Sequence, residues 1–308
     1  MAFEFATASQ PRAILFLLLT CLVLFLPGFF TIPPIDRDEV CFAQATKQMV
    51  ESGDYVDIRF QDDVRYKKPV GIYWLQAASL KTISALGVPK AQLRIWVYRV
   101  PSLLGAIGAV LLTYWTALAF LSRQGAVLAA LMIASSILLG VEARLAKTDA
   151  MQLLTVVAAM GAMARVYMSW QRGEDPARPP WSWPAIFWTA LAVGILLKGL
   201  ILMFVGLTIL VLAILDRSAA WLWRLRPVWG LTSCFSPQHG PRSAQQLLEP
   251  AGHLPVRAFG PPQGPRRRPQ GPATRLPPIH GGPRRPRGAG APAHLPRRHG
   301  QRPDAERG

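Results

Sequence analysis

Five stretches in the first 215 residues carry almost no charge, and they decide what this chain can fold into. Ala13–Phe30 is 18 residues long, Val100–Leu121 is 22 and Gly125–Val141 is 17, all without a charge. Ala150–Trp170 is interrupted only by Arg165, and Trp181–Leu215 runs 35 residues with Lys198 as its one charge. A helix needs about 20 apolar residues to cross the hydrocarbon of a bilayer. The last run is too long for one crossing and suits two, with Lys198-Gly199 as the turn. The pattern predicts an all-α integral membrane protein, a partial bundle of six spans at about 13–30, 100–121, 125–141, 150–170, 181–197 and 199–215. It excludes a water-soluble domain for residues 1–230. Arg12 is the only basic residue ahead of the first run, and no small-x-small site follows Phe30. The first run therefore reads as an uncleaved anchor.

Short-loop arginines and lysines set the orientation. With the N-terminus in the cytoplasm, the inner side collects Arg12, Arg123, Arg165, Arg172, Arg178, Arg217, Arg224 and Arg226. The outer short loops hold Arg144, Lys147 and Lys198. The loop 31–93, the loop 142–149 and the Lys198 turn then share the outer face, so a site built there would lie at the outer surface of the membrane.

Composition changes abruptly near residue 230. All ten Trp, six Tyr and seven Lys lie before it; all five His lie after it, with 13 Arg, 16 Pro and 11 Gly. Of the net charge of +17, the segment 231–308 carries +10. Such a segment buries too little apolar surface to offset its ordering entropy and reads as a disordered tail. Its GC-rich-codon composition matches a frame-shifted reading, which would leave residues 1–230 as a truncated and inactive piece. If the tail is genuine, the alternative is a membrane-anchored protein whose basic tail binds anionic lipid or nucleic acid. The tail lacks interleaved aromatics for stacking bases, which makes nucleic acid the weaker partner. Cys21, Cys41 and Cys234 form no disulfide or metal-ligand spacing.

Three charged clusters fall on the outer face. Asp36-Arg37-Asp38-Glu39 precedes a helix read over Val40–Ser52 and ended by Gly53. Acids there serve as a cap and complement the helix dipole, or they hold a carboxylate ready to orient or deprotonate a hydroxyl. Arg65, Lys67 and Lys68 lead into Val70–Leu86, which reads as a helix lying in the membrane interface. They are either a solvated charge run or a seat for a lipid phosphate. Glu142-Ala143-Arg144-Leu145-Ala146-Lys147-Thr148-Asp149 either pairs internally to end two helices or forms a site. Near-membrane ionisable groups point to function. Lys198 either snorkels to the surface or faces a lipid phosphate. A transporter would need more polar groups at mid-membrane than Gln152 and Thr155 supply.

In this order, the clusters resemble the polyprenyl-phosphate-dependent glycosyltransferases that include the lipid A aminoarabinose transferases and the protein O-mannosyltransferases (glycosyltransferase family 39, with GT-C architecture). The resemblance rests on Pro34–Ala43 with its Asp38-Glu39 pair, on Met49–Leu75 (MVESGDYVDIRFQDDVRYKKPVGIYWL), on Arg144–Ala150 (RLAKTDA) and on Lys198-Gly199. It covers about residues 10–230. It implies a membrane helical bundle with two interfacial helices in the first outer loop, and transfer of a sugar from a polyprenyl-phosphate carrier to a lipid A-type or protein acceptor. It makes Asp38 the acceptor base or orienting acid with Glu39 in support, and Asp149 the acid of the second outer loop. It sets Lys68 and Lys198 against the carrier phosphate, with Arg65, Lys67, Arg144 and Lys147 as further candidates. Cys41 stands where the aminoarabinose transferases show Arg, and Lys67 where they often show an acid that helps hold a metal. No metal site is read here, and the only cofactor-like requirement is the lipid-linked sugar donor.

Overall fold

The computed structural model describes residues 4, 7–61, 63–64, 68–174, 180–228 and 230. All of them lie in the first of two compact units, 1–252. Arg65, Lys67 and the 231–308 tail fall outside the described residues.

The regular secondary structure of the described residues is helical apart from one two-residue ladder. In chain order the helices are α1 (Gln10–Phe25), α2 (Arg37–Ser52), α3 (Gly71–Ala85), α4 (Ile95–Ala117), α5 (Arg123–Ala134), α6 (Ile137–Glu142), α7 (Asp149–Gln171), α8 (Ser182–Leu197) and α9 (Ile201–Asp216). Strands β1 (Arg59–Phe60) and β2 (Asp63–Val64) pair antiparallel between α2 and α3. Short 3-10 turns occupy Ala91–Leu93 and Ala220–Leu225.

Local chemistry moves several boundaries from those predicted. α1 stops at Phe25, short of the expected Phe30, because Pro27 cannot extend a helix and Gly28 turns at φ +80. α2 begins at Arg37 rather than Val40: Asp36 is the cap, accepting from the Asp38 N–H at 2.8 Å, and Gly53 ends the helix at φ +72. The run Gly125–Val141, expected as one span, breaks at Ser135-Ser136 into α5 and α6. The Ser135 hydroxyl donates to the Met132 carbonyl at 3.1 Å, a local bond that competes with the helix ladder. The 35-residue run divides into α8 and α9 around Lys198, with Gly199 at φ +70.

α4 starts five residues earlier than the uncharged run, so Arg99 lies inside it, and Pro101 lies within its second turn. Proline has no N–H, so the Val97 carbonyl four residues back loses its helical donor. The Ser79 hydroxyl of α3 donates to that carbonyl at 2.7 Å and so fastens α3 to α4.

α4 and α7 are the central pair. Each has 23 residues, about 34 Å at 1.5 Å per residue, and these two reach spanning length among the described residues. α1, α8 and α9 have 16 residues each and α5 has 12. In place of six full-length spans there are thus two long helices and four shorter apolar ones. Glycine brings the long pair together. A Cβ on Gly105 would lie 2.8 Å from the Met151 nitrogen, and one on Gly161 would collide with the Thr116 hydroxyl. Close approach through small residues is how helices associate where lipid removes the hydrophobic drive. α9 buries only Ile201 and Val205 and leaves Leu202, Phe204, Leu207 and Leu210 exposed, the surface of a lipid-facing helix.

Candidate functional site

The N-terminal ends of α2, α4 and α7, the α6–α7 loop and the α8–α9 turn meet at one end of the bundle. Arg99 organises this end. It and Glu39 are 0% exposed. Arg99 Nε donates to Glu39 Oε1 at 2.7 Å and Nη2 to Oε2 at 3.2 Å. The remaining guanidinium N–H groups donate to the carbonyls of Ile32 (2.8 Å), Phe29 (3.2 Å) and Pro33 (3.2 Å). Glu39 Oε1 also accepts from the Ala146 N–H at 3.1 Å. One buried ion pair thus ties α4 to the segment after α1, to the first turn of α2 and to the loop before α7. A forked, planar cation suits this task; an ammonium could not reach three carbonyls and a carboxylate together.

Two further bonds brace the same loop. The Ser102 hydroxyl donates to the Lys147 carbonyl at 3.0 Å. Gln76 Nε2 donates to the Ala146 carbonyl at 3.3 Å, while its Oε1 accepts from the Thr46 hydroxyl at 2.7 Å.

On this frame sit the exposed acids and bases. Asp38 is exposed on the first turn of α2, with no ion pair to its carboxylate among the described residues. Asp36 pairs with Lys147. That hydrogen bond, with the Asp38 N–H, holds the Asp36 carboxyl below its ordinary range. Burial disfavours the Lys147 ammonium, but the Asp36 hydrogen bond and the negative charges of Glu142, Asp36 and Asp149 outweigh it and raise its pKa. Lys198 Nζ donates to Asp149 Oδ1 at 2.6 Å, with both side chains partly open. Glu142 completes the group: burial first, then the charges of Asp149 and Asp36, push its carboxyl above the ordinary range against the pull of Lys147 and Lys198. Its Oε2 is buried without a hydrogen-bond partner.

The structure therefore brings together Asp36, Lys147, Glu142, Asp149 and Lys198 from three separated segments, with Asp38 two residues along the chain from Asp36. Two residues of the expected set are otherwise engaged. Glu39 is inside the protein, so its carboxylate cannot touch an acceptor while Arg99 holds it. Arg144 donates to the carbonyls of Pro27 (2.8 Å), Leu24 and Gly140, at the C-terminal end of α1 and within α6; backbone, not phosphate, occupies its fork. Lys68 is half-buried ahead of α3 and has no partner among the described residues. Arg65 and Lys67 lie outside them. No three His, Cys, Asp or Glu side chains among the described residues stand close enough to hold a metal ion.

Sequence reasoning does not single out Arg99 or Glu142. Arg99 sits one residue before an uncharged run and belongs by pattern to neither loop nor span. An arginine at a membrane end is itself a signal for a buried partner. Glu142 belongs to its cluster by position, but nothing in the sequence shows that its carboxyl lies within the field of both lysine–aspartate pairs.

A long apolar helical pair with an acid–base cluster gathered at one end defines a membrane-embedded helical protein. Residues 70–234 match the dolichyl-phosphate-mannose-protein mannosyltransferase family, and the chain belongs to it. No curated protein matches the sequence. Among solved structures, ArnT from Cupriavidus metallidurans bound to undecaprenyl phosphate is similar at 18% identity and a TM-score of 0.65, covering 78% of this chain and 41% of its own. Its apo form is similar at 19% identity and a TM-score of 0.62, covering 76% and 42%. The chain thus spans about two fifths of these structures' length, and the likeness is one of fold.

Proposed function

We propose that this chain carries the outer-face half-site of a glycosyltransferase that moves a sugar from a polyprenyl-phosphate carrier to a lipid A-type or protein acceptor. The bundle has six crossings, two made by full-length helices and four by shorter or broken ones, with α2 and α3 lying in the interface of the first outer loop. The outer face is the periplasmic side of an inner membrane, and residues 231–308 form a separate tail. The observation that supports this reading is the meeting of Asp36, Lys147, Asp149 and Lys198 from three chain segments, beside the first turn of α2 that carries Asp38, on a frame locked by Arg99 and Glu39. Family membership and the fold of a protein solved with undecaprenyl phosphate support it.

In this reading an acceptor oxygen attacks the anomeric carbon of the sugar. The bond from that carbon to the carrier phosphate oxygen breaks, and the phosphate keeps the electron pair. Lys198 and Lys68 stabilise that developing anion, and fixed cations in a poorly hydrated site do so strongly. Asp149 holds the Lys198 ammonium in place. Asp38 takes the acceptor proton, or orients an acceptor that is already an anion. Glu39 acts only through Arg99 and the helix that presents Asp38. The test is transfer from a radiolabelled polyprenyl-phosphate sugar in membranes carrying the chain within its complete gene. Asp38→Asn and Lys198→Ala are each expected to lower turnover by about 100-fold. Unchanged turnover in both would remove the site.

A further inference from the structure

At the other end of the central helix pair, about 34 Å from Asp149 along α7 at 1.5 Å per residue, lies a second cluster of a different kind. A cavity of about 100 Å³ opens between the C-terminal ends of α4 and α7 and the start of α8, lined by Leu118, Arg165, Ser169, Arg172, Glu174 and Trp183. We infer that this cavity binds the phosphate of an anionic phospholipid headgroup, at a site separate from the Asp38–Lys198 cluster.

Arg165 and Arg172 line the cavity, Arg224 bonds two of its lining residues, Ser169 and Glu174, and Arg226 lies outside the lining. Arg165 stacks 4.3 Å from the Trp115 ring and donates Nη2 to the Trp115 carbonyl, which leaves its buried Nε–H without a partner. Arg224 stacks 5.1 Å from the Trp170 ring and donates to the Ser169 hydroxyl at 3.2 Å and the Glu174 carbonyl at 2.6 Å; its Nε–H is likewise buried and unpaired. Arg226 lies 3.4 Å from the Trp181 ring with Nη1 buried and unpaired. Arg172 is exposed and reaches no acceptor among the described residues. None of these four guanidinium groups has an ion pair among the described residues. Among the described residues Glu174 is the one carboxylate in the cavity wall, against the two arginines Arg165 and Arg172. Ser169 is 2% exposed, accepts from Arg224 and keeps its own proton to donate.

Two buried N–H donors, that of Arg165 in the wall and that of Arg224 behind Ser169 and Glu174, are each costly to leave unsatisfied, and the space beside them has room for about three waters at roughly 30 Å³ each. A tetrahedral phosphate fits that volume; a nucleotide or a sugar ring does not. Arginine forks match phosphate oxygens. Leu118 and Trp183 form the apolar wall, and Trp170, Trp181 and Trp183 make an aromatic belt at this end, which is where headgroups lie. Basic pockets between membrane helices select anionic headgroups in this way. These features favour a lipid-borne phosphate over a free ion.

The experiment follows thermal unfolding of the full chain in neutral detergent during titration with phosphatidylglycerol, phosphatidylcholine or inorganic phosphate. The expected result is saturable stabilisation by phosphatidylglycerol alone. Arg172→Gln, which removes an exposed side chain with no partner among the described residues, is expected to weaken that binding about fivefold. The double variant Arg165→Gln/Arg224→Gln is expected to abolish it. The basic tail is common to all variants, so differences between them report on the cavity alone. Equal stabilisation by phosphatidylcholine, or an unchanged affinity in Arg172→Gln, would overturn the inference. Stabilisation by inorganic phosphate equal to that by phosphatidylglycerol would also overturn it, leaving a free-anion site. Sugar transfer is not measured, so failure here leaves the Asp38–Lys198 reading untouched.

Discussion

At the scale of single residues, the arrangement separates groups that hold from groups that act. Arg99 and Glu39 are fully buried and mutually satisfied, so removing one strands the other in a dry interior. Arg99→Gln is expected to cost about 3–5 kcal/mol of stability, measured as a fall in thermal midpoint and in folded yield. Asp38→Asn, by contrast, alters an exposed carboxylate and should leave that midpoint unchanged while turnover falls. The titrations of Asp36 and Glu142 have opposite signs. The Asp36 carboxyl is held below its ordinary 3.8, so its contribution is present above that pH and is lost as pH falls through the lower folded value. Asp36→Asn is expected to lower the midpoint at pH 7, with the difference closing only as pH falls below the ordinary 3.8 and through the lower folded value. The Glu142 carboxyl is raised above 4.5, so folding disfavours its charged form, and stability is lost as pH rises through the folded value. Glu142→Gln is expected to raise the midpoint at pH 7, and the gap should vanish near pH 4. A Glu142→Gln protein less stable than the parent at pH 7 would show that its carboxylate is ionised for a reason this arrangement does not contain.

At the scale of elements, the fold depends on close approach and on repaired defects. A methyl group added at Gly105 would meet backbone atoms of Met151 and Ala150 within 2.9 Å, and backbone cannot swing aside as a side chain can. Gly105→Leu is therefore expected to part α4 from α7 and lower the midpoint by the equivalent of at least about 1–3 kcal/mol. Ser79→Ala removes the donor that satisfies the Val97 carbonyl under Pro101, and a cost of about 1 kcal/mol is expected. Much at this level is legible in the sequence: the apolar runs, the Lys198-Gly199 turn and the Gly53 stop each carry a local signature. The break of Gly125–Val141 at Ser135-Ser136 is not, because two serines inside an apolar run are tolerated in many membrane helices. Here the Ser135 hydroxyl bonds the Met132 carbonyl, and Ser136 starts α6 with an extended backbone and no side-chain cap.

For the whole molecule, the two charged ends of the α4–α7 pair give opposite prospects. One end presents interleaved acids and lysines suited to a reaction at a lipid phosphate, the other arginines held on tryptophan faces. They should lie on opposite sides of the membrane. In a Cys234→Ser background, single cysteines at Ser52 and at Arg172 are expected to react with a membrane-impermeant maleimide from opposite faces of sealed vesicles. Cys21 and Cys41 are buried and should stay silent. Labelling of both positions from the same face would contradict the bundle's orientation. The sequence by itself determined that this chain is a helical membrane protein, where its charges cluster and which family its motifs resemble, because hydropathy and motif spacing are local properties. Tertiary structure alone decided which charges meet. Arg99 finds Glu39 sixty residues away, Arg144 turns to backbone carbonyls, and Lys198 reaches Asp149 across 49 residues. Pairings at that separation depend on helix packing and on the buried polar groups that packing leaves to be satisfied, which no local pattern encodes.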